Sequence, residues 1–464
     1  MSTNALNNKE QENRFILQGN LWKVVVRLSW PTIIAMVIYG FNPVLDALFV
    51  GQYAGEAALA GISLAYPITA IVTGLGSLIG VGAGSILSIA LGAKDTDKQR
   101  KIMGNVNVLI IFFTVIYMIA GLLLSSQMIH FMGGKGEELV LGDQYFRITV
   151  IGTIFWVYGL AINMIIRAEG RMKTAAWMMA VGLIANGIFS YIFIALMNMG
   201  VVGAAWGINM GMFIYSFVSF IYLIKGKASF EANALSLTCD KKIIGDINRL
   251  GASSLIMSVM TLVQAFVVFN VLSTYGTVSD IAFYGVVFRI FQFFLTPIFG
   301  LMRALQPVIG INYGAKQYER VIKSYKLFGV VAMMLTIPLW LISLIFPNEI
   351  LSTMLAGQNF GSIQLNEFRI FIFIIPFLSF IFMAMTFFPA VDKGKPAAII
   401  GIARQFIFYV PIMLVVPRYF GIEGIYYASF GIDVIIVLWT VLLVKKEFKF
   451  LRNNEICKLN IDKF

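Results

Sequence analysis

Two stretches decide the fold: GVGAGSILSIALGAKD, residues 80–95, and ALQPVIGINYGAK, residues 304–316. Each ends a long apolar run with the same triplet, and an offset of 222 positions lays Gly92-Ala93-Lys94 on Gly314-Ala315-Lys316. The same offset lays Arg27-Leu28 on Arg249-Leu250, Tyr53 on Tyr275, Ala60 on Ala282 and Ile68 on Ile290. At an offset of 221, GVVGAAWG (200–207) falls on GIEGIYYA (421–428). Chance likeness among greasy residues would not keep one register over so long a span. The chain therefore reads as two copies of one unit.

The nature of the unit follows from composition. Of 464 residues 59% are hydrophobic and 12% charged, about half the charge of a soluble domain. Apolar runs of ~20 residues, the length that crosses a bilayer, recur along the chain. The expected helices are 26–50, 57–90, 104–126, 146–166, 174–197, 202–224, 249–274, 281–311, 325–347, 367–390, 397–418 and 421–443. The second and eighth look longer than one bilayer and would project or tilt. The fold class is thus an all-α integral membrane protein of about 12 transmembrane helices in two pseudo-symmetric six-helix bundles, 26–224 and 249–443. Residues 225–248 would link them, between a tail at 1–25 and another at 444–464. Two six-helix copies of like topology are related by an axis along the membrane normal, an arrangement suited to a transporter whose site lies between the halves.

The net charge of +12 could signal nucleic acid, but the bases sit mostly in alternate short loops. Lys94, Lys98, Arg100, Lys101, Arg167, Arg171, Lys173, Lys225, Lys227, Lys241, Lys242, Lys316, Arg320, Lys323, Lys393, Lys395, Lys445, Lys446 and Lys449 mark one side, which the positive-inside rule places in the cytoplasm with both termini. The opposite loops, such as GQYAGE and STYGTVSD, carry no base. Cys239 and Cys457 fall on that inner side, where no disulfide is expected. There is one histidine, His130, and no H-E-x-x-H, CxxC or P-loop, so no enzyme chemistry, metal centre or cofactor is expected. The polar opening MSTNALNNKEQENRF does not read as a signal peptide.

Asp46 breaks the apolar pattern of YGFNPVLDALFVGQYAG (39–55). An aspartate near the outer end of a span can simply reach the interface. Inside a span, an ionisable residue points to function. Asn42 lies four residues earlier on the same face, and Pro43 between them removes a backbone bond and permits a hinge. A carboxyl group taken out of water favours its protonated form, so Asp46 could load and release a proton. Sodium would instead need several oxygen ligands, from Asn42 and neighbouring amides. Asn186 and Ser190, four apart, and Asn209 either join Asp46 in a polar pocket or bond between helices. In the second bundle Gln264, Asn270, Tyr284 and Gln292 could line a cavity. Arg289 could snorkel, bind an anion or pair with an acid. Arg404 and Asp433 approach the same depth and are expected to form a structural ion pair. Met36, Tyr39, Met257 and Met260 could offer the central cavity adaptable, greasy walls.

The ordered segments SWPTI, DALFVGQYAGEAALAGIS, GVGAGSILSIALGAKD, IIRAEGRMKTA, GVVGAAWG, ALQPVIGINYGAK and AVDKGKPAAIIGIARQ resemble the MATE family (multidrug and toxic compound extrusion), in the bacterial branch nearest its DinF and MepA-like members. The resemblance covers about 20–446. It implies a V-shaped pair of bundles working by alternating access in a bacterial cell membrane. It also implies export of drugs and organic cations against inward proton or sodium flow. Membrane lipid would surround a monomer with no nucleic-acid partner. Asp46 matches the family's acid in the first helix and Asn186 its asparagine in the fifth. The aspartate that many relatives carry four residues later is Ser190 here, and the acid of the seventh helix corresponds to Gln264. Asp46 therefore remains the main coupling candidate. A flippase for lipid-linked precursors, from the wider superfamily, is the alternative reading; it would need a strongly basic cavity.

Overall fold

The computed structural model describes residues 13–352 and 360–461, apart from the side chains of some residues within its helices. Among these residues the only regular structure is helix, joined by turns and loops, with no strand. The first half comprises α1 (Leu21–Tyr53), α2 (Glu56–Gly92), α3 (Thr96–Phe131), α4 (Gly136–Ile151), α5 (Thr153–Ala168), α6 (Met172–Tyr191) and α7 (Gly200–Ile224). The second comprises α8 (Lys241–Tyr275), α9 (Val278–Gly314), α10 (Tyr318–Ile345), the short α11 (Pro347–Ser352), α12 (Ser362–Phe373), α13 (Ile375–Ala390), α14 (Gly394–Ile402), α15 (Val410–Phe420) and α16 (Glu423–Ile461). Among the described residues eleven helical stretches are long and apolar enough to cross a membrane, and the pair α4–α5, bent by 54° at Gly152, makes up to twelve.

Local chemistry sets the ends. Asn20 accepts from the Trp22 amide at 3.0 Å and starts α1; Asp95 does the same for Lys98 and starts α3. Thr277 and Asp280 form a reciprocal capping box at the start of α9, satisfying amides that a helix end leaves without partners. The repeat appears in three dimensions as well. α2 and α9 each have 37 residues, about 55 Å at the helical rise, and their limits differ by the predicted 222 positions. The triplet lysines after them, Lys94 and Lys316, both take left-handed backbone, φ 58° and 57°, a conformation uncommon outside glycine that stops each helix.

Those same ends join the halves. A β-carbon on Gly92 would stand 2.0 Å from the carbonyl of Ile311, and one on Gly314 would stand 2.0 Å from the carbonyl of Ile89. The pairs are equivalent under the repeat, so this is a pseudo-two-fold contact. Gly82 against Ile247, Gly251 against Leu78 and Gly310 against Ser88 extend it. Gln306 crosses it, donating to the carbonyl of Val81 at 3.0 Å and to Ser85 Oγ at 3.1 Å. These close approaches gather at the end that bears the basic loops. The segment before α1 lies over that end: Arg320 donates to the carbonyls of Ile16 and Gly19, and buried Ile16 lies against Gly170.

Three expectations need correction. The helix expected from 249 begins at Lys241. The intervening chain is docked on the first half, where Asn107 donates to the carbonyls of Ala234 and Ser236 and Asn105 accepts from the Asp240 amide. The expected tail from 444 continues as helix to Ile461. Arg167, read as a loop base, is the last turn of α5 and is 3% exposed.

Candidate functional site

The first polar cluster lies between α1 and α6. Asp46 is seven residues before the end of α1, about 10 Å along its axis. Its Oδ1 accepts from Ser190 Oγ at 3.4 Å, and Ser190 accepts from Asn186 Nδ2 at 3.3 Å. Asn186 and Ser190 are buried, at 1% and 0% exposure, while Asp46 is partly covered. The spacing explains the pairing, since residues four apart on α6 share a face. Asp46 also lies within electrostatic reach of Tyr66 and Tyr145. One turn farther along α1, Phe49 meets Tyr191 with ring centres 6.0 Å apart. Beyond Tyr191 the helix widens into a π-helical turn, Ile192–Leu196, a local loosening common at functional sites.

Asn42 and Pro43 have side chains outside the described residues, although α1 continues as helix through both. Asn209 does not join Asp46. It donates to the carbonyl of Ile148 at 2.6 Å and lies against Gly152, so it braces the bend between α4 and α5. Tyr39 lies elsewhere on α1, half-buried, near Thr73 and Arg303.

The second half has its own cluster. Arg404 meets Asp433 through two bonds, 2.7 and 3.3 Å long, with Asp433 only 5% exposed. Gln405 donates to Gln264 at 3.5 Å. Gln264, Tyr409 and Ser429 surround a cavity of only ≈ 10 Å³ beside that pair, room for one water at most. Arg404, Gln405 and Tyr409 all belong to a second π-helical turn, Ala403–Tyr409. Tyr284 is buried in an aromatic group with Phe288, Phe371 and Tyr426. Gln292 contributes a backbone carbonyl to Thr296, and Asn270 one to Thr274. Arg289 is exposed and has no charged partner among the described residues.

Sequence reading passed over a third cluster. Arg303 of α9 crosses to the first half and lies 3.1 Å from Met164 Sδ. Arg167 is one turn from Met164 and donates to Asn163 Oδ1 at 2.7 Å. In the sequence Arg167 looks like one more base of the inner loops, and only packing distinguishes it. The legible signal was Arg303, a base eleven residues inside an apolar helix. Among the described residues no group of three or more His, Cys, Asp or Glu is placed to hold a metal.

The MatE family model matches residues 31–192 and again 252–415, one copy on each half of the repeat. The chain belongs to the MatE family. It is 25% identical over 447 residues to the "Multidrug export protein MepA" of Staphylococcus aureus strain NCTC 8325, covering 94% of this chain and 96% of that one. The likeness to MepA of Staphylococcus saprophyticus is also 25%, over 448 residues. Among solved structures, one titled "Crystal structure of MATE in the bent conformation" superposes with a TM-score of 0.88 at 22% identity, covering 98% of this chain and 99% of that one. An outward-facing MATE family transporter of the MOP superfamily gives 0.86 at 22% identity, over 94% and 98% of the two chains. The MatE chain is therefore a multi-pass membrane transporter with the MATE fold.

Proposed function

We propose that this MatE protein is a multidrug efflux antiporter that couples export of organic cations to inward proton flow at Asp46. The observation that carries the reading is the hydrogen-bonded line Asp46–Ser190–Asn186, within one half of a two-half transporter. A carboxylate beside a neutral hydroxyl can trade a proton for a cationic cargo. Protonation removes the negative charge that holds the cargo, and it changes the contact between α1 and α6. The same change favours the other arrangement of the halves, which is all that alternating access requires of a coupling ion. The full-length likeness to proteins named for multidrug export supports this cargo class over the flippase.

Sodium is a second reading, favoured by one observation. Asn186 Oδ1 is buried with no hydrogen-bond donor. It could supply an oxygen ligand beside Ser190 Oγ and Asp46. Ethidium efflux from proteoliposomes under an imposed pH or sodium gradient separates the two. Efflux driven by the pH gradient alone supports the proton, efflux driven only by sodium replaces it, and efflux driven by neither rejects coupled antiport.

A further inference from the structure

The geometry points to an oxyanion site where the two halves meet, formed by Arg167 of the first half and Arg303 of the second, which takes the carboxylate or phosphate of a bound molecule. This rests on the transport reading above and names a second chemical requirement for its cargo. Arg303 Nη1 lies 3.1 Å from Met164 Sδ, and Arg167 follows Met164 by one turn on α5. Their neighbours are the Asn163 amide oxygen, the thioethers of Met164 and Met179, and the phenols of Tyr39 and Tyr215. None of these is an acidic residue, and the side-chain partners of the two arginines among the described residues are an amide and two thioethers. Arg167 Nη1 and the Tyr215 hydroxyl are buried with no hydrogen-bond acceptor. Burying charge without a counter-charge is expensive, and breaking an existing buried pair shows how large the penalty is. Two planar forks that meet across an interface form a natural clamp for a carboxylate or phosphate.

The position adds information about cargo shape. Tyr39, which faces Arg303, and Asp46 are both on α1, seven residues or about 10 Å apart along its axis. The acid is toward the end away from the basic loops, and the bases are toward the end where the glycines of the two halves meet. A molecule with a cationic head and an anionic group roughly that distance apart would satisfy both.

Rhodamine 123 and rhodamine 110 test this. They differ only in that the first is the methyl ester of the second, so only rhodamine 110 has a free carboxylate. Binding is read by fluorescence anisotropy with the full chain in phosphatidylcholine nanodiscs. Arg303→Gln should raise the Kd ratio of rhodamine 110 to rhodamine 123 by about tenfold. Arg303→Lys, which keeps the charge and covers the case of a Gln variant that folds poorly, should shift it by only roughly threefold. Competition by inorganic phosphate would assign a soluble cargo group, and competition only by added phosphatidylglycerol a lipid headgroup; either supports an oxyanion site. An unchanged ratio in Arg303→Gln, or wild-type protein that binds only the ester, overturns it. Failure here leaves ethidium efflux through Asp46 untouched, and failure of that efflux leaves the dye ratio intact.

Discussion

In the first half Asp46 meets the hydroxyl of Ser190 at 3.4 Å; in the second Asp433 meets the guanidinium of Arg404 at 2.7 and 3.3 Å. The backbones around them follow one plan, and each half places a π-helical turn in its penultimate span. The polar groups are used differently. A carboxylate held by an arginine fork gains two charge-assisted bonds, a geometry suited to tying two helices together. A carboxylate held by a neutral hydroxyl can exchange its proton or its cargo at smaller cost. The difference teaches that a duplicated fold can hold a charge-paired carboxylate in one half and one hydrogen-bonded to a neutral hydroxyl in the other; under the function proposed above, the first braces and the second couples.

The sharpest way to break this comparison is to neutralise each aspartate in turn. Asp46→Asn should abolish ethidium efflux while leaving the melting temperature close to wild type. Asp433→Asn leaves a buried guanidinium without its partner and should cost about 3–5 kcal/mol. Its efflux, scaled to the amount of folded protein, should remain. Replacing Arg404 and Asp433 together by Met and Leu should recover most of that stability, because an apolar pair of similar volume avoids the desolvation penalty. If Asp433→Asn stops efflux at full stability, the division of labour between the halves is wrong.

A smaller effect tests whether the halves are held by their glycines. Gly251→Ala places a β-carbon 1.8 Å from the Leu78 carbonyl and Gly82→Ala places one 2.1 Å from that of Ile247. Each should cost about 1–3 kcal/mol by overpacking, read as a lower melting temperature. Gly187→Ala, with open space around its added carbon, is the control and should be near neutral.

The smallest effect concerns Glu169, just outside the span that ends at Ala168. Burial pushes its carboxyl up from the usual range, while bonds from Ser229 and Tyr222 and the nearby Arg171 oppose that. A raised value means that the folded protein holds the proton more tightly than the unfolded chain. Stability is then full below the unfolded carboxyl range, near about 4.3, and declines as pH rises through the folded value. Glu169→Gln should flatten that decline in melting curves taken across acid to neutral pH.

Much of this was legible in the sequence. The GAK repeat predicted the two halves; that its glycines also bring the halves into contact is seen only in the structure, since close approach of two backbones leaves no separate mark in one sequence. Asp46 was legible as an acid that interrupts an apolar span, and Asn186 with Ser190 because four-residue spacing puts both on one face. The Arg404–Asp433 pair was legible from depth alone. For Asn209 the sequence left two readings open, because an amide in a span looks the same whether it bonds between helices or lines a pocket; the structure shows the bond, to the Ile148 carbonyl. Arg167 was hidden because the positive-inside pattern explains any base near a helix end, and burial has no signature in one sequence. The docked chain at 228–240 reads as polar linker until Asn105 and Asn107 are seen to hold it.

The central claim is that Asp46 exchanges a proton for cargo. The most direct measurement is the pH change when ethidium is added to purified protein in unbuffered detergent solution. Wild type and Arg404→Met/Asp433→Leu should both release protons on binding ethidium, and Asp46→Asn should release none. Release that persists undiminished in Asp46→Asn would contradict the account.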